Sequence, residues 1–298
     1  MPDNRLLTRL QRTALTDAYD DFILSRRAMR VTPSTLDYYR HTAGVFVVWL
    51  HERGITEPAR ITAAHVRAWL AEHADRLKDT SLHARARAVR TLVRFLHAEG
   101  YMPALITFAM PRLDDKRLPF LEPDALRRVL ASCDTPRAKA LVLLLVDSGI
   151  RREEASLVNW GDLNFENGAL VVRRGKGGKA RTVAVGAKTL RALLAYRRTL
   201  KQPPSDASPL LQNRSGNRLT QNAIGCLLER VSDWSGVAFS AHVLRRTFAV
   251  MSLRSGMDLV SLQRLMGHAD IAMTSHYLQM VDTDLLEAHR KAGVDCWL

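Results

Sequence analysis

Apolar positions recur at helical spacing through the first hundred residues. Leu15, Ala18, Tyr19, Phe22 and Ile23 mark one face of a helix from Leu15 to Met29. Thr32-Pro33-Ser34 starts a second, because proline is tolerated at a helix entrance; it extends to about Arg53, where Gly54 stops it. Thr62 caps a third helix through Ala74, and Thr80 a fourth that ends at Gly100. No strand-like alternation interrupts them. The pattern predicts a bundle of short helices over residues 1–103.

The pattern breaks between Met102 and Pro123. Pro103, Pro111, Pro119 and Pro123 surround the charged run Asp114-Asp115-Lys116-Arg117, which neither continues a helix nor favours burial. A linker over residues 104–120 is expected, followed by a second domain over 121–298. Helices are predicted there from Glu122 to Cys133 and from Pro136 to Ser148, the latter apolar enough for a core and ended by Gly149. Ala169–Arg174 and Lys179–Val185 flank Gly175-Lys176-Gly177-Gly178, a hairpin pattern. Thr189–Leu200 reads as helix and Lys201–Asn217 as loop. Further helices start near Thr220, Ala241, Asp258 and Ile271, with a last one over Asp282–Lys291. The fold class expected is mainly α with a small β-hairpin, α+β.

Composition narrows the function. The longest apolar run, Ala140–Val146, falls far short of the ~20 residues that span a bilayer, and no signal peptide is visible. Cys133, Cys226 and Cys296 form no pair at metal-ligand spacing, and their odd number suits a reducing compartment. A soluble cytoplasmic protein is expected, without membrane association. The net charge of +14 draws polyanions, of which nucleic acid is the commonest in a cytoplasm. Both halves share it: residues 1–113 hold 17 basic against 11 acidic residues, and residues 114–298 hold 27 against 19. Both can therefore touch one long anionic ligand.

Four stretches carry candidate chemistry. Ser148-Gly149-Ile150-Arg151-Arg152-Glu153-Glu154 sets an arginine beside helix ends, where its planar fork can reach an anion. Lys176 tips the glycine hairpin. His242 and Arg245 share a helix face at i, i+3. Gly267-His268 precedes Tyr277 by nine residues from the histidine. Taken singly, each has an ordinary explanation: an Arg151–Glu154 surface pair, a solvated turn lysine, structural histidines, a core tyrosine.

Together SGIRREE, GKGGK, HVLRRTF, LMGH and Tyr277 resemble, in order and spacing, the tyrosine recombinase (phage integrase) family. The helical N-terminal part is similar to that family's core-binding, SAM-like DNA-binding domain, so the resemblance covers nearly the whole chain. It implies that Arg151 and Arg245 are the catalytic arginines, Lys176 the hairpin lysine, His242 and His268 the catalytic histidines, and Tyr277 the nucleophile. Three departures stand out: Ala155 and Met266 where leucine is usual, and Arg246 where many members have a second histidine. None of these positions is among the six.

The chemistry expected is DNA cleavage and rejoining through a 3′-phosphotyrosine. Arg151 and Arg245 would neutralise the non-bridging oxygens. A free tyrosine is a poor nucleophile at neutral pH, so His242 would help remove its proton, while His268 would hydrogen-bond the phosphate. Lys176 would protonate the leaving oxygen. No carboxylate cluster or Cys/His ligand set implies a metal, and no G-x-x-x-x-G-K-[ST] loop implies ATP, so no cofactor is expected. The resemblance implies a homotetramer or heterotetramer on double-stranded DNA, two protomers to a site, with accessory proteins in some systems.

Mobile-element integration or excision is the first expectation for the biological role, and chromosome dimer resolution of the Xer kind the alternative. A topoisomerase that only nicks and reseals uses similar chemistry. A non-catalytic helix-turn-helix regulator over Leu259–Tyr277 is the competitor from another class, and it leaves Arg151, Lys176 and the His242/Arg245 pair unexplained. Arg87, Arg90 and Arg94, at i, i+3 and i+7, form a candidate phosphate-contacting stripe, the alternative being a solvated face. The apolar tail Val281–Leu298 is a candidate contact with a neighbouring protomer.

Overall fold

Threonine side chains cap five of the twelve helices described below. A computed structural model describes residues 11–113, 118–173, 180–268, 270–275 and 277–278. Contacts divide the chain into two units, Met1–Lys116 and Arg117–Leu298.

In unit 1, Thr13 caps α1 (Ala14–Ala28), Thr32 caps α2 (Pro33–Glu52) and Thr62 caps α3 (Ala63–Ala74), each accepting a backbone N–H of the first turn. The fourth helix, α4 (Asp79–Ala98), starts earlier than Thr80 predicts. Lys78 occupies its cap without a side-chain bond, and Asp79 meets the positive end of the helix in the first turn. Phe46 packs on Trp69 with ring centroids 5.1 Å apart, and Phe22 on Phe95 at 5.4 Å. The segment after Met102 is non-helical and lies along the bundle: Ile106, Phe108 and Met110 pack on its core, and the Pro111 carbonyl meets His83 Nδ1 at 2.9 Å.

Unit 2 is built round α6 (Pro136–Ser148), which Thr135 caps and which packs against α5 (Pro123–Ala131) and several later helices. Six of its apolar residues are fully buried. Gly149 ends it in the left-handed conformation, φ 61°, and α7 (Arg152–Leu157) follows at once. The hairpin forms as expected. Strands β1 (Ala169–Val172) and β2 (Arg181–Ala184) pair antiparallel, Leu170 opposite Val183 and Val172 opposite Arg181. Its turn, and Lys176 with it, lies outside the described residues.

Helix α8 (Ala187–Arg197) begins two residues before Thr189. Its cap comes from elsewhere: Asp147 of α6 accepts the Gly186 N–H at 2.6 Å and the Thr189 hydroxyl at 2.5 Å. Then come α9 (Gln221–Ser235), α10 (Ala241–Arg254), α11 (Leu259–Met266) and the short α12 (Ala272–Ser275). The helix expected over 282–291 and the tail to Leu298 lie outside the described residues. Among those described, no helix is long and apolar enough to cross a membrane.

A Cβ on Gly149 would stand 2.2 Å from Phe248 Cδ1, whereas one on Gly54, also at positive φ, would meet nothing within 4 Å. Gly54→Ala is expected to cost about 1 kcal/mol from backbone strain alone. Gly149→Ala adds overpacking and is expected to cost about 3 kcal/mol or more. Urea midpoints of the two variants check this; equal losses would show that Phe248 simply moves aside.

Candidate active site

Helices leave their last carbonyls without partners, and the negative end of the helix dipole favours cations there. The end of α11 uses both facts. Leu265 O accepts from Arg181 Nε at 2.7 Å, Met266 O from Arg245 Nη2 at 2.6 Å, and Gly267 O from Arg151 Nη2 at 3.2 Å. Three successive carbonyls thus hold three different guanidinium groups. Arg245, only 5% exposed, also donates through Nη1 to the Gly149 carbonyl at the end of α6. Gly267, at φ 63°, gives the chain room, since a Cβ there would lie 3.1 Å from Arg181 Nη1.

Glu154 supplies the compensating charge. Its carboxylate accepts Arg181 Nη1 and Nη2, each at 2.8 Å, and Arg151 Nη1 at 3.0 Å, and takes the Arg151 backbone N–H at 2.7 Å. Burial opposes its ionisation, but the hydrogen bonds and charges of Arg181 and Arg151 prevail and bring its pKa down to about 2. Burial, and then the charge of Arg151, pushes Arg245 down to about 10, so it remains a cation at neutral pH.

The histidines and Tyr277 complete the group. Since a guanidinium only donates, His268 Nε2 accepts from Arg245 Nη2 at 3.0 Å; the ring proton then sits on Nδ1, 2.9 Å from the buried Thr274 hydroxyl. This fixes a neutral tautomer. The His268 ring stacks on Tyr277 with centroids 6.2 Å apart and planes 22° from parallel. Tyr277 is 9% exposed and packs with Ala249, Val250, Leu262 and Met266. Burial raises its hydroxyl pKa against the opposing pull of Arg245, Arg246 and Arg151. His242 lies on α10, one turn before Arg245. Partial burial, then the charges of Arg246, Arg245, Arg152 and Arg151, hold its imidazole below the ordinary value. Among the described residues, no group of three His, Cys, Asp or Glu side chains could hold a metal.

The structure therefore brings Arg151, Arg245, His268 and Tyr277 together, with His242 on the same helix as Arg245. Lys176 is the one predicted site residue outside the described residues. Sequence reasoning missed Arg181 and gave Glu154 only the part of a surface partner for Arg151. Strand alternation was the available signal for Arg181, which shares a face with the buried Val183 and Val185. In unit 1, Arg87 and Arg94 of α4 are exposed and Arg90 is half-buried.

Residues 119–283 match the model of the phage integrase family, and residues 16–100 that of the phage integrase N-terminal SAM-like domain. The chain belongs to the phage integrase family of tyrosine recombinases. It is 31% identical over 277 residues to the tyrosine recombinase XerC of Xanthomonas campestris pv. campestris (strain B100), covering 90% of this chain and 85% of that protein. Among solved structures it is similar to XerH site-specific recombinase bound to palindromic difH substrate (TM-score 0.67, 19% identity, 98% of this chain and 94% of that one). It is also similar to the Tn1549 transposon integrase in complex with a circular intermediate DNA (TM-score 0.72, 18% identity, 89% and 95%). The resemblance drawn from the sequence motifs is borne out, and with it the two-part, mainly helical recombinase fold. Tyrosine recombinases are enzymes that cleave and rejoin DNA.

Glu154 also gives the recombinase a pH signature. Its folded pKa lies below the ordinary 4.5, so its pairing stabilises the fold above that value and is lost as pH falls toward about 2. At pH 7, Glu154→Gln is expected to cost about 3 kcal/mol. The gap between variant and wild type should narrow as pH falls below about 4.5, which melting curves across the acid range would show.

Proposed function

We propose that this recombinase cleaves a specific DNA site by in-line attack of the Tyr277 hydroxyl on a phosphodiester. The Tyr277 O–P bond forms, the bond from phosphorus to the 5′ oxygen breaks, and a 3′-phosphotyrosine and a free 5′ hydroxyl result. Attack by the 5′ hydroxyl of a partner strand reverses the step and joins the strands, so the bond energy is kept and no ATP is consumed. The observation that carries this reading is the placement of Tyr277, alone among the six tyrosines, against His268 within the field of Arg151, Arg245 and Arg246.

Arg151 and Arg245 take the two non-bridging oxygens. Among the described residues, the bonds of Arg245 use three of its five N–H groups and those of Arg151 two, which leaves donors on both forks for phosphate. Donors already fixed in place need no reorganisation as charge develops. His242 accepts the tyrosine proton, a task suited to an imidazole held neutral at physiological pH. His268 anchors Arg245 and the Tyr277 ring, a more structural part than hydrogen-bonding the phosphate directly. Lys176 protonates the leaving 5′ oxygen.

The partner is double-stranded DNA, gripped by both units, with two protomers on each of two duplexes. Integration or excision of a mobile element is the role proposed; the transposon integrase is similar in fold. Chromosome dimer resolution is the second reading, favoured by the XerC names of the curated relatives. Joined sites from two separate plasmids would support the first, and resolution of dimers at one chromosomal site the second.

On a nicked suicide substrate, Tyr277→Phe is expected to form no covalent adduct while binding the site as wild type does. An adduct from the Phe variant would discard the assignment. Replacing any one of Arg87, Arg90 and Arg94 by Ala is expected to weaken binding across all DNA sequences and to reduce the salt slope by about 1. An unchanged slope in all three variants would leave α4 a solvated face.

A further inference from the structure

Four consecutive residues at the start of unit 2 are held by one helix. Arg246 Nε of α10 donates to the Pro119 carbonyl at 2.8 Å, and the Leu121 N–H donates to the buried Thr247 hydroxyl at 2.8 Å. Arg254 pairs with the Glu122 carboxylate at 2.8 Å and sets its guanidinium 5.1 Å from the Phe120 ring centroid. Phe120 in turn packs on the small cluster of Ala249, Val250, Leu262, Met266 and Tyr277. The segment that receives the chain from unit 1 therefore abuts the pocket of Tyr277.

Arg246 belongs to both sides of this contact. It grips Pro119, and its charge acts on Tyr277 and on His242. We propose that Arg246 is a positioning residue that ties the start of unit 2 to the pocket of Tyr277, so that the placement of residues 119–122 sets the reactivity of the nucleophile. This rests on the reading of Tyr277 as nucleophile given above.

Arginine suits both tasks where a histidine would not. It bonds Pro119 through Nε while its fork carries a charge that neutral pH does not remove. Among the described residues, the cations acting on Tyr277 are Arg245 and Arg246 from α10 and Arg151 at the start of α7, with the His268 ring stacked beside it. All three cations favour the phenolate and oppose burial. Losing one raises the hydroxyl pKa and moves the rate profile to higher pH.

The test is single-turnover cleavage of a nicked suicide substrate by the full chain at saturating protein, measured across neutral and alkaline pH. Arg246→Ala is expected to cleave about tenfold more slowly at pH 7, with single-site affinity within about twofold of wild type. Its rate midpoint should move to higher pH. Arg246→Lys keeps the charge but not the fork, and should restore the midpoint and only part of the rate. Phe120→Ala loosens the same segment with every charge in place, so its midpoint should stay at the wild-type value; a raised midpoint there would overturn the part given to the Arg246 charge.

Wild-type rates and midpoint in Arg246→Ala would overturn the proposal, as would a slower rate with an unmoved midpoint, the mark of a general packing defect. If melting shows that Arg246→Ala does not fold, Arg246→Gln gives the same reading: a raised midpoint supports the proposal and an unmoved one overturns it. Tyr277→Phe separates the two levels. A persisting adduct there discards the nucleophile itself, whereas a Tyr277-dependent adduct indifferent to position 246 discards only this inference.

Discussion

Three arginines meet at the end of α11, and the helix end is what makes that meeting tolerable. Three guanidinium groups would repel one another if left to themselves. Leu265, Met266 and Gly267 each give one of them a carbonyl that the helix leaves unpaired. Glu154 then bridges Arg151 and Arg181 from below, a single buried carboxylate among three cations. The balance stays positive. Among the described residues, Arg151 and Arg245 keep N–H donors beyond those that these partners use.

The rest of unit 2 follows from that arrangement. Gly149 must end α6 sharply, because its carbonyl faces Arg245 and Phe248 fills the space a side chain would need. The hairpin must return Arg181 to the end of α11, which fixes where β2 begins. Helix α10 spends its polar positions in two directions: His242 and Arg245 serve the site, while Thr247 and Arg254 hold residues 120–122. Arg246 serves both.

What was legible in the sequence was local. A threonine followed by a helical run reads as a cap because the bond closes within one turn, and Thr13, Thr32, Thr62, Thr135 and Thr220 all cap. The start of α8 was misplaced because its cap, Asp147, lies 39 residues before Gly186. The six motif residues were found through their spacing, and five of them lie among the described residues. Arg181 was not found, because its partners stand 27 and 84 residues away and no short pattern joins them. Glu154 was seen beside Arg151 but taken for a surface residue, because burial at 3% depends on the packing of α7 rather than on its sequence.

The arginines at α11 are held by main chain, and main chain is the same whatever side chain it carries. Positions 265 and 266 can therefore change residue without disturbing the hold, so long as their own side chains still pack. Met266, fully buried, is one side chain under that packing condition. The grip on the arginines thus leaves almost no signature in the sequence that provides it. Of the three positions at the end of α11, Gly267 is the one whose positive φ and closeness to Arg181 favour glycine. A site assembled in this way can drift widely in sequence round a fixed chemistry.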